Sequence, residues 1–250
     1  MGSNIKKFIR RIIYPEYNGS TYNLFIPQKG IVYQDNREFG VQNVSVKISR
    51  SKMGIPFELS NEIAINRGVV NLLKNEKKIL NFGCGTGLFE SFAAKKFTKS
   101  SFVANDLDKQ TLKWAKDNRP FKNVRYENLN LRQIYRKYGK FDLALAIEVI
   151  EHVDDYLSFL KEFSKLSDVA IISTPNRDRN VEEALSISPS IHYHVREWNA
   201  GEFYWILKGF YKNVELFTLV NDEGENVQRV GTMHSFFETI AYCKGRTGNW

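Results

Sequence analysis

A strand-to-helix turn with three alternate glycines constrains the fold of this chain more than any other feature. The apolar residues 79–82 run directly into Gly83, Gly85 and Gly87, and a helical pattern begins at Leu88. Glycine permits a tight turn and lets the backbone approach a ligand closely, and the first N–H groups of the following helix have no intrahelical partner. The segment therefore predicts a strand–turn–helix unit that binds a ligand.

Strand and helix patterns alternate along the chain on both sides of this turn. The strand patterns lie at residues 79–82, 101–105, 124–127, 141–147, 169–173 and 214–219, and the helix patterns at 88–97, 109–118, 154–166 and 200–207. This alternation predicts an α/β fold with a doubly wound, mostly parallel sheet, because parallel neighbours need crossover connections. Ligands bind beyond the carboxyl ends of the strands in such sheets, so functional residues are expected there.

The chain divides into an N-terminal extension (1–57), a main domain (58–244) and a flexible tail (245–250). Its 250 residues and 42% apolar composition allow one substantial core. We expect the extension to form an amphipathic helix and hairpins that act as a substrate lid. Residues 5–13 have apolar side chains at helical spacing with basic residues on the other side, which fits a docking helix or, as the alternative, peripheral contact with a membrane.

Charge and cysteine content indicate the class of partner and the compartment. The formal net charge of +8 favours anionic partners: phosphorylated metabolites, nucleotide-linked sugars, nucleic acid or an acidic membrane. The basic residues form no block, so a basic surface with no partner is the alternative. Cys84 lies inside the glycine turn and Cys243 is the only other cysteine, which indicates a reducing, cytoplasmic location. No apolar run approaches the roughly 18 residues that span a bilayer.

An acidic residue after the second predicted strand extends the ligand-binding pattern. Asp106 lies about twenty residues beyond the glycine turn, where a carboxylate can bind the two hydroxyls of a ribose. The turn and Asp106 together resemble the first motifs of the class I S-adenosylmethionine-dependent methyltransferases. A nicotinamide-binding domain is disfavoured, because no third glycine completes the G-x-G-x-x-G spacing of that class.

The resemblance implies S-adenosylmethionine as the cofactor and a set of residues that contact it. These residues are Asn81, Gly83, Cys84, Gly85, Gly87, Asp106, Leu107, Asn130, Leu131 and Ile147. The family often has an acid that binds the methionine ammonium where this chain has Asn81, and another near the adenine where it has Asn130. An amide oxygen accepts the same hydrogen bond.

A second group of candidate functional residues follows the fourth predicted strand. In a helical start, Glu148, Glu151 and His152 share one face at the carboxyl edge of the sheet, where they can hold Mg²⁺, Mn²⁺ or Fe²⁺. In the alternative without metal, the glutamate assists cofactor binding and His152 packs or acts as a base. His192 is a further candidate base, with a structural loop histidine as the alternative. The candidate catalytic residues are therefore Glu148, His152 and His192.

Later motifs extend the resemblance to particular methyltransferases. The E-x-x-E-H string and a later histidine before an E-W pair resemble the small-RNA 3′-terminal 2′-O-methyltransferases, which implies a metal site of Glu148, Glu151, His152 and His194. The same string is similar to that of ubiquinone-pathway O-methyltransferases. The sequence S-T-P-N followed by H-V-R-E resembles bacterial glycan and capsule methyltransferases.

These motifs predict an O-methyltransferase for a small anionic acceptor, with assistance from a divalent ion. Phosphorylated sugars, nucleotide-linked sugars and other polysaccharide or capsule precursors are the expected acceptors. A small acceptor is favoured because the chain contains no recognisable RNA-binding accessory domain. The first alternative is methylation of an RNA 3′ end at its 2′ oxygen. The second is a non-catalytic binding protein with the same fold, which Asn81 and Asn130 keep open.

Overall fold

A computed structural model of the chain describes residues 60–179, 194–219, 227–229 and 238–248. The extension 1–57, including the helix expected at 5–13, lies outside the described residues, and so does the candidate base His192. The expectations for these segments therefore remain predictions.

The described ranges contain six α-helices and eight β-strands. The helices are α1 (Ser60–Leu72), α2 (Leu88–Lys96), α3 (Lys109–Asn118), α4 (Leu131–Tyr138), α5 (Tyr156–Phe163) and α6 (Ala200–Lys208). The strands are β1 (Lys78–Phe82), β2 (Ser101–Asn105), β3 (Val124–Glu127), β4 (Leu143–Ile147), β5 (Val169–Pro175), β6 (Tyr211–Leu219), β7 (Val227–Arg229) and β8 (Glu238–Arg246). Every strand and helix predicted between residues 79 and 219 is present, with ends that differ by a few residues. None of the described helices combines the length and apolar character needed to cross a membrane.

The strands form one mixed sheet in the order β3-β2-β1-β4-β5-β8-β6-β7. Strands β1 to β5 pair in parallel, which confirms the doubly wound arrangement predicted from the alternation of strands and helices. The chain leaves β1 in one direction toward β2 and β3 and returns on the other side of β1 as β4. The crevice between the ends of β1 and β4 is thus the switch point at which such sheets bind ligands.

The C-terminal strand β8 lies outside the predicted alternation of strands and helices. It pairs antiparallel with β5 on one side and with β6 on the other. Because an antiparallel strand needs no crossover helix, no helix pattern in the sequence indicates where it lies. The strand continues to Arg246, past the predicted domain boundary at residue 244, and the N–H of Thr247 donates to the carbonyl of Phe210 at 3.0 Å. The described part of the predicted tail 245–250 is therefore attached to the fold.

Apolar side chains cover both faces of the sheet, because successive residues of a strand point to opposite faces. Leu80 of β1 belongs to one buried cluster with Phe159, and Ile79 belongs to a second cluster with Phe89 on the other face. Polar side chains are buried mainly where strands end. They include Asn81, Asn105, Ser173, Thr174 and Asn176. This polar edge is where the candidate site lies.

Candidate active site

The glycine turn between β1 and α2 has backbone angles that favour glycine. Gly83, Gly85 and Gly87 have φ angles of 81°, 52° and 75°, in the left-handed region that other residues rarely adopt. A Cβ atom at Gly83 would lie 2.4 Å from Val149 Cγ2, whereas one at Gly85 would meet no atom of the residues that the structure describes within 4 Å. Gly83 therefore packs against the chain that follows β4, and the space beside Gly85 fits a cofactor that approaches the backbone.

Asp106 holds the glycine turn from the end of β2. Its Oδ2 accepts a hydrogen bond from the N–H of Gly85 at 2.7 Å, and its Oδ1 accepts one from the N–H of Asp108 at 2.8 Å. Withdrawal from solvent and the neighbouring Asp108 carboxylate raise the pKa of Asp106 to about 6. The side chain lies beside the turn, and its contact with a ribose stays a prediction.

We expect the affinity for S-adenosylhomocysteine to fall as the pH drops below about 6. Ribose hydroxyls donate to the ionised form of Asp106, so binding favours that form and a proton opposes it. Because the pKa of Asp106 is about 6, affinity is greatest above that pH and falls by up to tenfold per pH unit below it. Calorimetric titration from about pH 5 to pH 8 measures this slope.

The matched variant is Asp106→Asn, which keeps the size of the side chain and removes its charge. We expect it to bind S-adenosylhomocysteine more weakly by about 1.5–3 kcal/mol at pH 8, the contribution of a charged hydrogen bond. The slope below pH 6 should disappear in this variant. An unchanged slope would show that the pH dependence comes from another group.

Asn81, at the end of β1, is buried against helix α2. Its Nδ2 donates to Glu90 Oε1 at 2.9 Å, and neither Asn81 Oδ1 nor Glu90 Oε2 has a hydrogen-bond partner within the described residues. Burial raises the pKa of Glu90 to about 7. A carboxylate therefore lies directly behind the amide at position 81. Glu90 is not among the cofactor residues predicted from the sequence, although it stands in the first helical turn after the glycines.

Asn130 begins helix α4 and uses its side chain to cap that helix. Its Oδ1 accepts a hydrogen bond from the N–H of Gln133 at 3.0 Å, and the Gln133 side chain accepts one from the N–H of Asn130 at 2.9 Å. This reciprocal pair is a capping box. The side-chain oxygen of Asn130 thus caps the helix with one of its two lone pairs, and its contact with the adenine stays a prediction.

The other predicted cofactor residues lie around the same sheet edge. The N–H groups of Gly83 and Cys84 both donate to the carbonyl of Asn105, at 2.7 and 2.9 Å, and thereby fix the turn to the end of β2. The remaining members of the predicted set are buried or half-buried near the ends of the strands. They are Leu107, Leu131 and Ile147. Leu131 also belongs to the apolar core beneath α4.

The chain after β4 forms a tight turn and does not start an α-helix, which corrects the predicted helical face. Glu148 has a φ of 54°, and Ile150–His152 form a single 3-10 turn. A left-handed conformation at a residue other than glycine costs about 1–3 kcal/mol and is often found at functional sites. Ser173 of β5 holds Glu148: its Oγ accepts from the Glu148 N–H at 3.0 Å and donates to Glu148 Oε1 at 2.8 Å.

Three of the four predicted metal ligands lie together in a buried cluster. Glu151, His152 and His194 each offer one ligand atom, and these atoms lie within 4.8 Å of one another. The rings of His152 and His194 are 4.7 Å apart and nearly perpendicular. The N–H groups of Val195 and Arg196 donate to the carbonyl of Glu151, at 2.7 and 3.2 Å, so the backbone itself holds the two segments together. Glu148, the fourth predicted ligand, is outside this cluster.

The carboxylate of Glu151 is buried in a setting that favours a cation. Neither oxygen has a partner at hydrogen-bond geometry within the described ranges, although Nε2 of His152 lies 3.7 Å from Oε1 and the Thr174 hydroxyl lowers the pKa of Glu151. Burial and the nearby carboxylate of Glu148 raise that pKa well above its usual range. An uncompensated buried carboxylate is destabilising, and bound metal compensates it. Two imidazoles and a carboxylate fit a divalent transition metal with open coordination positions.

A fourth buried residue, Glu197, contacts the cluster through His194 but was not predicted to be functional. Its Oε1 lies 2.6 Å from Nδ1 of His194, and both side chains are buried. In the sequence, the only sign of this contact is the position of the glutamate three residues after the histidine. The contact depends on a backbone conformation that no local sequence pattern indicates.

Comparison with known sequences identifies the family. The profile of a methyltransferase domain family matches residues 61–213, which is more than half of the chain. A ubiquinone biosynthesis O-methyltransferase of Pelagibacter ubique is 31% identical over 109 residues, which cover 42% of this chain and 44% of that protein. The protein of the same name from Rickettsia canadensis is 26% identical over 158 residues, covering 61% of this chain and 64% of its own. The chain therefore spans less than two thirds of either relative.

Solved structures show the same fold. The plantazolicin methyltransferase BpumL in complex with SAH has a TM-score of 0.55 at 14% identity, over 75% of this chain and 84% of its own. The methyltransferase domain of bacterial-CtHen1-CN has a TM-score of 0.54 at 22% identity, over 72% of this chain and 97% of its own. The chain has the class I methyltransferase fold and belongs to the methyltransferase domain family, as its motifs predicted.

Proposed function

We propose that this chain methylates a hydroxyl group of a small anionic acceptor, and that a divalent ion held by Glu151, His152 and His194 assists the reaction. The observation that carries the proposal is that the glycine turn contacts the segment that bears two of the candidate metal ligands. Gly83 of the glycine turn packs against Val149, which stands between Glu148 and the 3-10 turn that contains Glu151 and His152. An acceptor beside the cofactor is therefore within reach of the buried cluster.

The donor set indicates which ions fit. Two imidazole nitrogens and one carboxylate favour Mn²⁺ or Fe²⁺ over Mg²⁺, which prefers oxygen ligands. A bound divalent ion supplies Lewis acidity that lowers the pKa of a hydroxyl group. The chain itself holds the ligands in place, since the backbone N–H groups of Val195 and Arg196 anchor the His194 segment to Glu151.

Glu148 is suited to accept the proton of the acceptor hydroxyl. Its carboxylate is half-buried, held by Ser173 and separate from the three-residue cluster. Bound S-adenosylmethionine would supply an electrophilic methyl group, and Glu148 would accept the proton that the acceptor hydroxyl loses. His152 is the candidate base if no ion binds, and His192 is a further one.

Three observations support a hydroxyl on an anionic acceptor. The two curated relatives are named O-methyltransferases. The net charge of +8 favours anions. Close to His194 in sequence, the exposed guanidinium of Arg196 lies over the rings of Tyr156 and Trp198, at 5.6 and 5.8 Å, with no carboxylate partner among the described residues. Such a guanidinium is oriented in advance for a phosphate or a carboxylate.

A second candidate function is 2′-O-methylation of an RNA 3′ end. It is favoured by Glu151, His152 and His194, which are three of the four ligands implied by the resemblance to small-RNA methyltransferases. The basic charge also fits a nucleic acid.

Transfer of a radiolabelled methyl group by the full chain with Mn²⁺ distinguishes these functions. The acceptors to compare are phosphorylated sugars, nucleotide-linked sugars, and single-stranded RNA with either a hydroxyl or a hydrogen at its terminal 2′ position. We expect label on the anionic sugars. Label on RNA alone, with none on RNA that has a hydrogen at its terminal 2′ position, would contradict the first function and support the second.

A further inference from the structure

The contact between Glu197 and His194 suggests a function for a residue outside the ligand set. The His194 Nδ1 to Glu197 Oε1 distance is 2.6 Å, and the two residues are only 4% and 3% exposed. A buried carboxylate is unfavourable unless its charge is compensated. The burial of Glu197 therefore calls for a structural or functional reason.

Helix capping does not provide that reason. Helix α6 is capped by Asn199, whose Oδ1 accepts from the N–H of Glu202 at 2.9 Å while the Glu202 carboxylate accepts from the N–H of Asn199 at 3.2 Å. Glu202 also pairs with Arg177, at 3.0 Å. The start of the helix is thus stabilised without Glu197.

The geometry indicates what Glu197 does for His194. Because Nδ1 of the imidazole is committed to the carboxylate, Nε2 is the nitrogen left for an ion. A carboxylate that accepts a hydrogen bond from Nδ1–H fixes the tautomer and the ring orientation. It also makes Nε2 more basic and so a better metal ligand, as carboxylates behind metal-binding histidines do in general.

We propose that Glu197 is a positioning residue that orients His194 and sets the affinity of the Glu151, His152 and His194 site for a divalent ion. This inference rests on the proposed function, since it requires that an ion binds there.

Titration of the EDTA-treated full chain with Mn²⁺ tests the proposal. We expect Glu197→Ala to lower the Mn²⁺ affinity about 10- to 100-fold, which is typical of losing a carboxylate behind a metal ligand. Glu197→Gln should lose less of the affinity for Mn²⁺, because its amide oxygen still accepts a hydrogen bond from Nδ1–H. Both variants should bind S-adenosylhomocysteine like the wild type. Glu202→Gln, which alters a carboxylate of the same segment that does not contact His194, is the matched control and should keep the wild-type affinity for Mn²⁺.

The outcomes separate this inference from the proposed function. Wild-type Mn²⁺ affinity in Glu197→Ala overturns the positioning role. Absence of Mn²⁺ binding in the wild type overturns the ion site itself. If Glu197→Ala does not fold, ¹⁵N NMR of His194 in wild type and Glu197→Gln decides the matter. The wild type should carry its proton on Nδ1 and none on Nε2, and the opposite tautomer contradicts the proposal.

Discussion

Glu151→Ala should abolish Mn²⁺ binding and methyl transfer while leaving the binding of S-adenosylhomocysteine intact. Glu151 is the single carboxylate of the three-residue cluster, and neither of its oxygens has a hydrogen-bond partner within the described residues. Lewis-acid assistance is worth several kcal/mol, so its loss should lower kcat by about 10³-fold or more. The cofactor should bind normally, because Asp106 and the glycine turn are unchanged.

The same change should not destabilise the metal-free protein. Removing an uncompensated buried carboxylate relieves a desolvation cost, so the melting temperature of Glu151→Ala without metal should equal or exceed that of the wild type. Glu162→Ala is the control: Glu162 lies on α5 and pairs with Lys165 near the surface at 2.8 Å, so its loss should not affect activity. Full activity of Glu151→Ala would refute the assisting role of an ion.

Gly85→Val should abolish binding of S-adenosylhomocysteine, with at least about a 100-fold loss of affinity, and leave the fold largely intact. A Cβ at this position would meet no atom of the described residues within 4 Å, so the valine side chain would occupy the space that fits the cofactor. The positive φ of 52° adds strain of about 1–2 kcal/mol. Calorimetry measures the affinity and thermal denaturation measures the stability.

Gly83→Ala provides the contrast. Its Cβ would lie 2.4 Å from Val149 Cγ2, so the chain after β4 has to move. We expect overpacking to lower the free energy of unfolding by about 1–3 kcal/mol in addition to the backbone strain. Gly85→Val with wild-type affinity, or Gly83→Ala with wild-type stability, would contradict this account of the turn.

The glycine turn and Asp106 could be predicted because their signals are local. A strand, a turn and a helix follow one another in the sequence, and the order of parallel strands brings the end of β2 beside the turn. The sequence spacing of Gly85 and Asp106 therefore identified two groups that are in contact: the N–H of Gly85 donates to the Asp106 carboxylate at 2.7 Å.

Features that depend on conformation or long-range pairing could not be predicted in the same way. The helical periodicity placed Glu148 beside Glu151, but a left-handed residue breaks that periodicity and Ser173 of β5 holds the Glu148 carboxylate. Asn130 caps its own helix, a local role that competes with ligand binding. The sheet position of β8 depends on pairing with residues far along the chain.

The measurement that tests the central claim most directly is calorimetric titration of the EDTA-treated full chain with Mn²⁺, with and without S-adenosylhomocysteine. We predict saturable binding of a single ion per chain in both conditions, lost in Glu151→Ala and retained in Glu162→Ala. Absence of saturable Mn²⁺ binding in a wild-type protein that binds S-adenosylhomocysteine would contradict the account, and would indicate a methyltransferase in which Glu148 or a histidine acts without metal.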